Sequence, residues 1–110
     1  MANSERSPYT IASEIISDFK KEQNERIAKL LAKKPDATPF EISKLTWQKR
    51  YFGAVPYLSA MASLNSMKDS YGWDSAIMIV NYFLSNVSTW KGETAKRIKK
   101  ELNDMVKNAK

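Results

Sequence analysis

Residues 75–86 read Ser75-Ala76-Ile77-Met78-Ile79-Val80-Asn81-Tyr82-Phe83-Leu84-Ser85-Asn86, and whether this run is strand or helix decides the fold class. Its β-branched and aromatic residues would suit a strand, and short apolar runs are ambiguous by composition. The spacing 76, 80, 83, 87 is helical, and no partner strand is visible elsewhere in the chain. Apolar nearly all round, such a helix belongs at the centre of a bundle.

The same periodicity continues on both sides. Downstream, Ser88 or Thr89 caps a helix reaching about Lys107, with Ala95, Ile98, Leu102, Met105 and Val106 as its apolar stripe. Upstream, the 69–74 segment with Gly72 reads as a turn. Before it, a helix from about Pro56 to Lys68 turns Leu58, Met61 and Leu64 inward, and Gly53 with Pro56 bends the path into it. Thr38-Pro39-Phe40-Glu41 combines a Thr cap, Pro at the first helical position and Glu at capping-box spacing. It predicts a helix to about Phe52 that buries Phe40, Ile42, Leu45 and one edge of Trp47. Ser7-Pro8 starts the first helix in the same way, with Ile11, Ile15, Phe19, Ile27, Leu30 and Leu31 on one broad face. Lys33-Lys34 suit its negative end, and Pro35 stops it. The expectation is all-α: a single compact bundle of about five helices with the apolar fourth at the centre. One domain spans 1–110, residues 1–7 form a flexible N-terminus, and the radius of gyration is roughly 13 Å.

Composition narrows the chemistry. The 110 residues include no His and no Cys. That removes imidazole bases, thiolate nucleophiles, disulfides and the usual zinc ligands, so the expectation is a non-enzymatic protein with no cofactor and no metal site. At 43 % hydrophobic and 27 % charged, the chain has apolar material for a real core. There is no apolar leader at the start, and Ala at position 2 gives no myristoylation signal. Ala76 to Leu84 is half the length a bilayer requires. These features point to a cytoplasmic protein without a membrane partner. Glu14, Asp18, Glu22 and Glu25 form a carboxylate stripe opposite the apolar face of the first helix, with Glu22 facing Arg26 and Glu25 facing Lys29. It reads as a solvated face.

Charge is unevenly placed. The chain carries 18 Lys and Arg against 12 Asp and Glu, a net +6, and residues 91–110 hold seven of those cations and three of the anions. Lys96, Lys99, Lys100, Asn103 and Lys107 fall on one side of a helical wheel, spanning roughly 16 Å. Such a face can meet several phosphates or the carboxylates of an acidic protein. By contrast, residues 51–67 and 75–90 carry no charge. Ser59, Ser63 and Ser66 make a stripe of small hydroxyls there, and Trp47 and Tyr51 lie four apart beside Arg50. These six residues are the candidate protein interface, because interface cores are depleted in charge and rich in aromatics and Arg.

The stretch PYLSAMASLNSMKDSYGWDSAIMIVNYFLSNVSTWKGETAKRIKKEL, from Pro56 to Leu102, resembles in style the short helical proteins that phages and mobile elements encode. The resemblance transfers no functional residue. It implies a small accessory or host-interacting protein rather than a metabolic enzyme. Two readings follow: binding of nucleic acid or an acidic protein through the basic C-terminal helix, or a homo-oligomer or host-protein-binding module using the uncharged middle surface.

Overall fold

The computed structural model describes residues 5–109. Ser7 Oγ accepts the amide of Thr10 at 3.1 Å and Pro8 takes the first helical position, so α1 (Pro8–Lys33) begins where its capping chemistry requires. At 26 residues it is about 39 Å long. Its buried residues, Pro8, Ile11, Ala12, Ile15 and Phe19, all lie in the first half. Beyond them Ile27 and Leu30 are half-buried and Leu31 is exposed, so the far end of α1 leaves the core.

The capping box at Thr38 forms in full. The Glu41 amide donates to Thr38 Oγ1 at 3.1 Å and the Thr38 amide to Glu41 Oε1 at 3.0 Å, opening α2 (Pro39–Ser43). The expected helix to Phe52 does not continue. It breaks at Thr46, whose backbone is extended, and restarts as α3 (Trp47–Arg50), followed by a 3₁₀ turn over Phe52–Ala54. Gln23 on α1 caps the restart, its Oε1 accepting the Trp47 amide at 3.0 Å. The break turns Trp47 inward onto Phe19, with ring centroids 5.7 Å apart. Phe40, expected inside, is 68 % exposed, and Ile42 and Leu45 are only half-buried, because α2 covers the projecting end of α1 rather than the core.

Helix α4 (Val55–Met61) is shorter than its periodicity suggests. The Asn65 amide bonds Asp69 Oδ2 at 2.8 Å and the Lys68 amide bonds Ser66 Oγ at 2.9 Å. Local side-chain acceptors of this kind compete with helical bonding and win here. A two-residue antiparallel ladder follows, β1 (Ser70–Tyr71) with β2 (Asp74–Ser75), turning at Gly72, whose φ is 62°.

The deciding segment is a helix. Ser75 Oγ caps α5 (Ala76–Ser85) by accepting the Met78 amide at 3.2 Å. Its Ala76, Ile79, Val80 and Phe83 are buried, while Met78, Asn81, Tyr82 and Ser85 are exposed. It therefore packs against α4 and α6 but keeps one open face, contrary to the expectation of a helix enclosed all round. Helix α6 (Glu93–Ala109) starts later than predicted because Trp90 is buried ahead of it. Gly92 makes the turn into the helix at φ 111°, and its carbonyl accepts the Lys96 amide at 3.0 Å. The buried stripe of α6 is Ala95, Ile98, Leu102, Met105 and Val106, as its spacing requires.

The all-α expectation holds. The described residues form six helices and one 3₁₀ turn rather than about five helices. With a radius of gyration of 15.8 Å and extents of 52 × 30 × 19 Å, they are also more elongated than a close-packed chain of this length. The projecting end of α1 accounts for the difference. Of the N-terminal segment expected to be flexible, residues 1–4 lie outside the described residues, while Arg6 bonds Glu14 at 2.8 Å and Glu101 at 2.6 Å. Among the described residues no helix is long and apolar enough to cross a membrane.

Candidate functional site

The basic side of α6 is continuous, but its members play different parts. Lys96, Lys100, Asn103 and Lys107 are exposed and Lys99 is half-buried. Lys99 Nζ donates to the Trp90 carbonyl at 2.6 Å and lies 5.8 Å from the indole centroid. Burial first, and the charge of Lys91 second, lower its pKa. Lys100 pairs with Asp104 at 2.9 Å, one turn on. Asn103 Nδ2 donates to the Lys99 carbonyl at 2.8 Å. Lys96 and Lys107 make no ion pair among the described residues. Lys91, which the sequence reading did not single out, joins the base of this face. With Trp90, Lys96 and Lys99 it lines an open hollow of about 560 Å³. Glu93 lines it too, so the hollow sets the exposed ammonium groups of Lys91 and Lys96 beside one carboxylate, over a buried indole.

The adjoining face of α6 is committed to α1. Arg97 bonds Glu14, and Arg6 bridges Glu14 and Glu101. The hydrogen bond from Arg97, with that from Arg6, holds the Glu14 carboxyl below its ordinary pKa despite partial burial. A carboxyl with a depressed folded-state pKa contributes stability above its unfolded pKa, and this is lost as pH falls through the folded value. Glu14→Gln should therefore cost about 1 kcal/mol or less at neutral pH, the range of a partly exposed ion pair. It should also flatten the decline of stability as pH falls through and below the ordinary carboxylate range. Urea unfolding across that range checks this; parallel curves for the two proteins would remove Glu14 from the account.

The predicted protein interface is corrected in part. Trp47 and Tyr51, expected at the surface beside Arg50, are 9 % and 2 % exposed. Both pack on Phe19, and the Tyr51 ring stacks on it at 4.1 Å. Tyr51 donates its hydroxyl proton to Glu22 at 2.7 Å, and burial together with that bond pushes its pKa up to about 12. Arg50 stays exposed, its guanidinium 5.7 Å from the Tyr51 centroid. Ser59 and Ser63 are exposed and Ser66 half-buried, yet they share no helical stripe, because α4 ends at Met61. Other large apolar side chains are exposed instead: Phe52 is 79 % exposed, Trp73 beside Asp74 at the hairpin is fully exposed, and Tyr71, Met78 and Tyr82 are about half exposed. Tyr57 and Tyr82 bring α4 and α5 together at 5.3 Å between rings. The four-residue spacing of Met78 and Tyr82 was the available signal.

The carboxylate stripe of α1 is not merely solvated. Asp18 Oδ2 accepts the Trp90 indole N–H at 2.7 Å, Glu22 accepts Tyr51, and Glu14 accepts both arginines. Each of these three works as a structural acceptor. Among the described residues no group of three or more acidic side chains could hold a metal ion. Comparison with protein-family models, curated proteins and solved structures finds no match. What this chain can do therefore rests on its own surfaces.

A third feature escaped the sequence reading. Between the projecting end of α1 and α2 lies an open groove of about 530 Å³, with Leu30 and Leu45 in it and Arg26, Lys29, Lys33 and Lys44 around it. The i, i+3, i+7 spacing of Arg26, Lys29 and Lys33 carried the signal. Residues 1–40 nearly balance in charge, which concealed it.

Proposed function

We propose that the protein is a non-enzymatic binding module whose α6 face engages an anionic partner, nucleic acid or an acidic protein. The observation that carries this reading is the pair Lys96 and Lys107. Both are exposed and unpaired, on the face that also bears Lys99, Lys100 and Asn103. The neighbouring cation Lys91 extends it. Phosphate contacts from such a face would position a partner; the lysines could also donate to a guanine edge, whereas the amide nitrogen of Asn103 is held by the backbone.

Reversing Lys96, Lys100 and Lys107 to Glu together should abolish binding. If about three cations meet phosphates, a fourfold rise in salt should weaken the native affinity about 40-fold. Affinity flat in salt would overturn the reading. Purification of the native complex with and without nuclease separates nucleic acid from acidic protein. A second reading draws on the exposed Phe52 and Trp73: a protein partner or second copy covering exposed aromatic side chains of the middle segments. It is favoured if a partner survives both nuclease treatment and the triple reversal.

A further inference from the structure

The end of α1 that leaves the core has its own surface chemistry. Arg26, Lys29 and Lys33 share one face and rise about 10 Å from first to last. Leu30 lies between them, and α2 with the turn after it brings Lys44 and Leu45 across. Arg26 fixes this crossing by donating to the Leu45 carbonyl at 3.1 Å. The one carboxylate in the groove, Glu41, is already committed. Lys34 Nζ bonds it at 2.7 Å and Thr38 donates to it from backbone and hydroxyl, which hold its pKa near 2, well below the usual range. Lys29 and Lys33 have no ion-pair partner among the described residues, and Lys44 lies 4.5 Å from the centroid of the exposed Phe40 ring. The result is an apolar floor inside a rim of four cations, with the one carboxylate neutralised by Lys34.

We propose that this groove docks an acidic amphipathic helix of another protein. Leucine-like side chains would settle on Leu30 and Leu45, and flanking carboxylates would meet Lys29, Lys33 and Lys44. Charge complementarity selects the occupant. A second copy of a chain with net charge +6 is repelled, whereas an acidic helix is drawn in and held in register. Concavity selects it too, because a groove between helices receives the apolar face of a third. A flat lipid surface would leave the floor unfilled. A nucleic acid would find no aromatic among the groove's lining residues on which to stack a base. The exposure of Leu31 and Phe40 on the same projecting arm is consistent with a surface still to be covered. This proposal is independent of the α6 reading and can fail or stand without it.

The test uses the full chain and a labelled helical peptide of roughly 14 residues, about four turns, with leucines on one stripe flanked by glutamates. Two control peptides replace the glutamates by glutamines or the leucines by serines. The parent peptide should bind, each control should bind at least about tenfold more weakly, and Lys29→Glu with Lys33→Glu should lose at least about tenfold. Both positions are solvent-exposed, and circular dichroism confirms that the double variant folds. Reversal of Lys96, Lys100 and Lys107 should leave peptide affinity unchanged. Equal binding of all three peptides overturns the proposal, as does loss of binding only in the α6 variant. Retention of anionic phosphatidylserine vesicles or duplex DNA by Lys29 and Lys33 with no peptide binding also overturns it.

Discussion

Phe19→Ala should lower the free energy of unfolding by about 3–5 kcal/mol, the range for truncating a buried aromatic. Phe19 is fully buried where α1, α3 and the α5–α6 connection meet. It stacks on Tyr51 at 4.1 Å, meets the edge of Trp90 at 5.1 Å and lies 5.7 Å from Trp47. Each of those residues is fastened to α1 by a separate polar bond: the Tyr51 hydroxyl to Glu22, the Trp90 indole to Asp18, and the Trp47 backbone amide to Gln23. The surrounding rings are therefore poorly free to collapse into the space left by the lost ring, and a cavity that cannot collapse carries the larger penalty. A fall in Tm of about 12–20 °C is expected at this chain length. Thermal unfolding followed by circular dichroism measures it, and a loss below about 1 kcal/mol would show that Phe19 is not the centre of the core.

Trp90→Ala should be comparably damaging, at about 3–5 kcal/mol. Trp90 lies in the connection between α5 and α6, outside any helix, yet it is fully buried. Its ring packs on Phe19 from α1 and on Phe83 from α5, its N–H reaches Asp18, and its carbonyl receives Lys99 from α6. Trp90→Phe separates these contributions. It keeps most of the packing, loses the bond to Asp18 and should cost about 1 kcal/mol, because Asp18 is only half-buried and water can replace the indole. The double variant Phe19→Ala, Trp90→Ala should lose less than the sum of its parts, since touching side chains share one cavity. Additive losses would place the two rings in separate environments. These losses approach the whole stability of an ordinary domain, so Trp90→Phe is the variant that remains measurable if the alanine forms do not fold.

The features legible in the sequence are those decided within a few residues. Ser7-Pro8 and Thr38-Pro39-Phe40-Glu41 place helix starts because caps are local hydrogen bonds. The stripe of α6 and the helical state of 76–85 follow from periodicity. What escaped is decided by distant partners. Nothing near Thr46 announces that Gln23 will cap a new helix there and turn Trp47 inward. The exposure expected for Trp47 and Tyr51 failed because their hydrophobic partner, Phe19, lies some thirty residues earlier. The α6 face was visible because its cations are consecutive turns of one helix. The groove was not, because its rim draws on two helices whose charges nearly cancel in a count along the chain.

The links between α1 and the Trp90–α6 region also set the order in which the molecule assembles. Asp18 waits for an indole 72 residues later, and Arg6 for a carboxylate 95 residues later. Helices and the short hairpin form from local contacts, on the microsecond scale of such elements. The aromatic centre closes only after a large loop has been drawn in, at an entropic cost that local helices do not meet. During synthesis, α1 through α5 emerge before the segment that completes their core. Until Trp90 and α6 return to α1, the face of Ile11, Ile15 and Phe19 is covered only in part, by α3 and α4, which makes the nascent chain, more than the finished fold, the state in need of protection from aggregation.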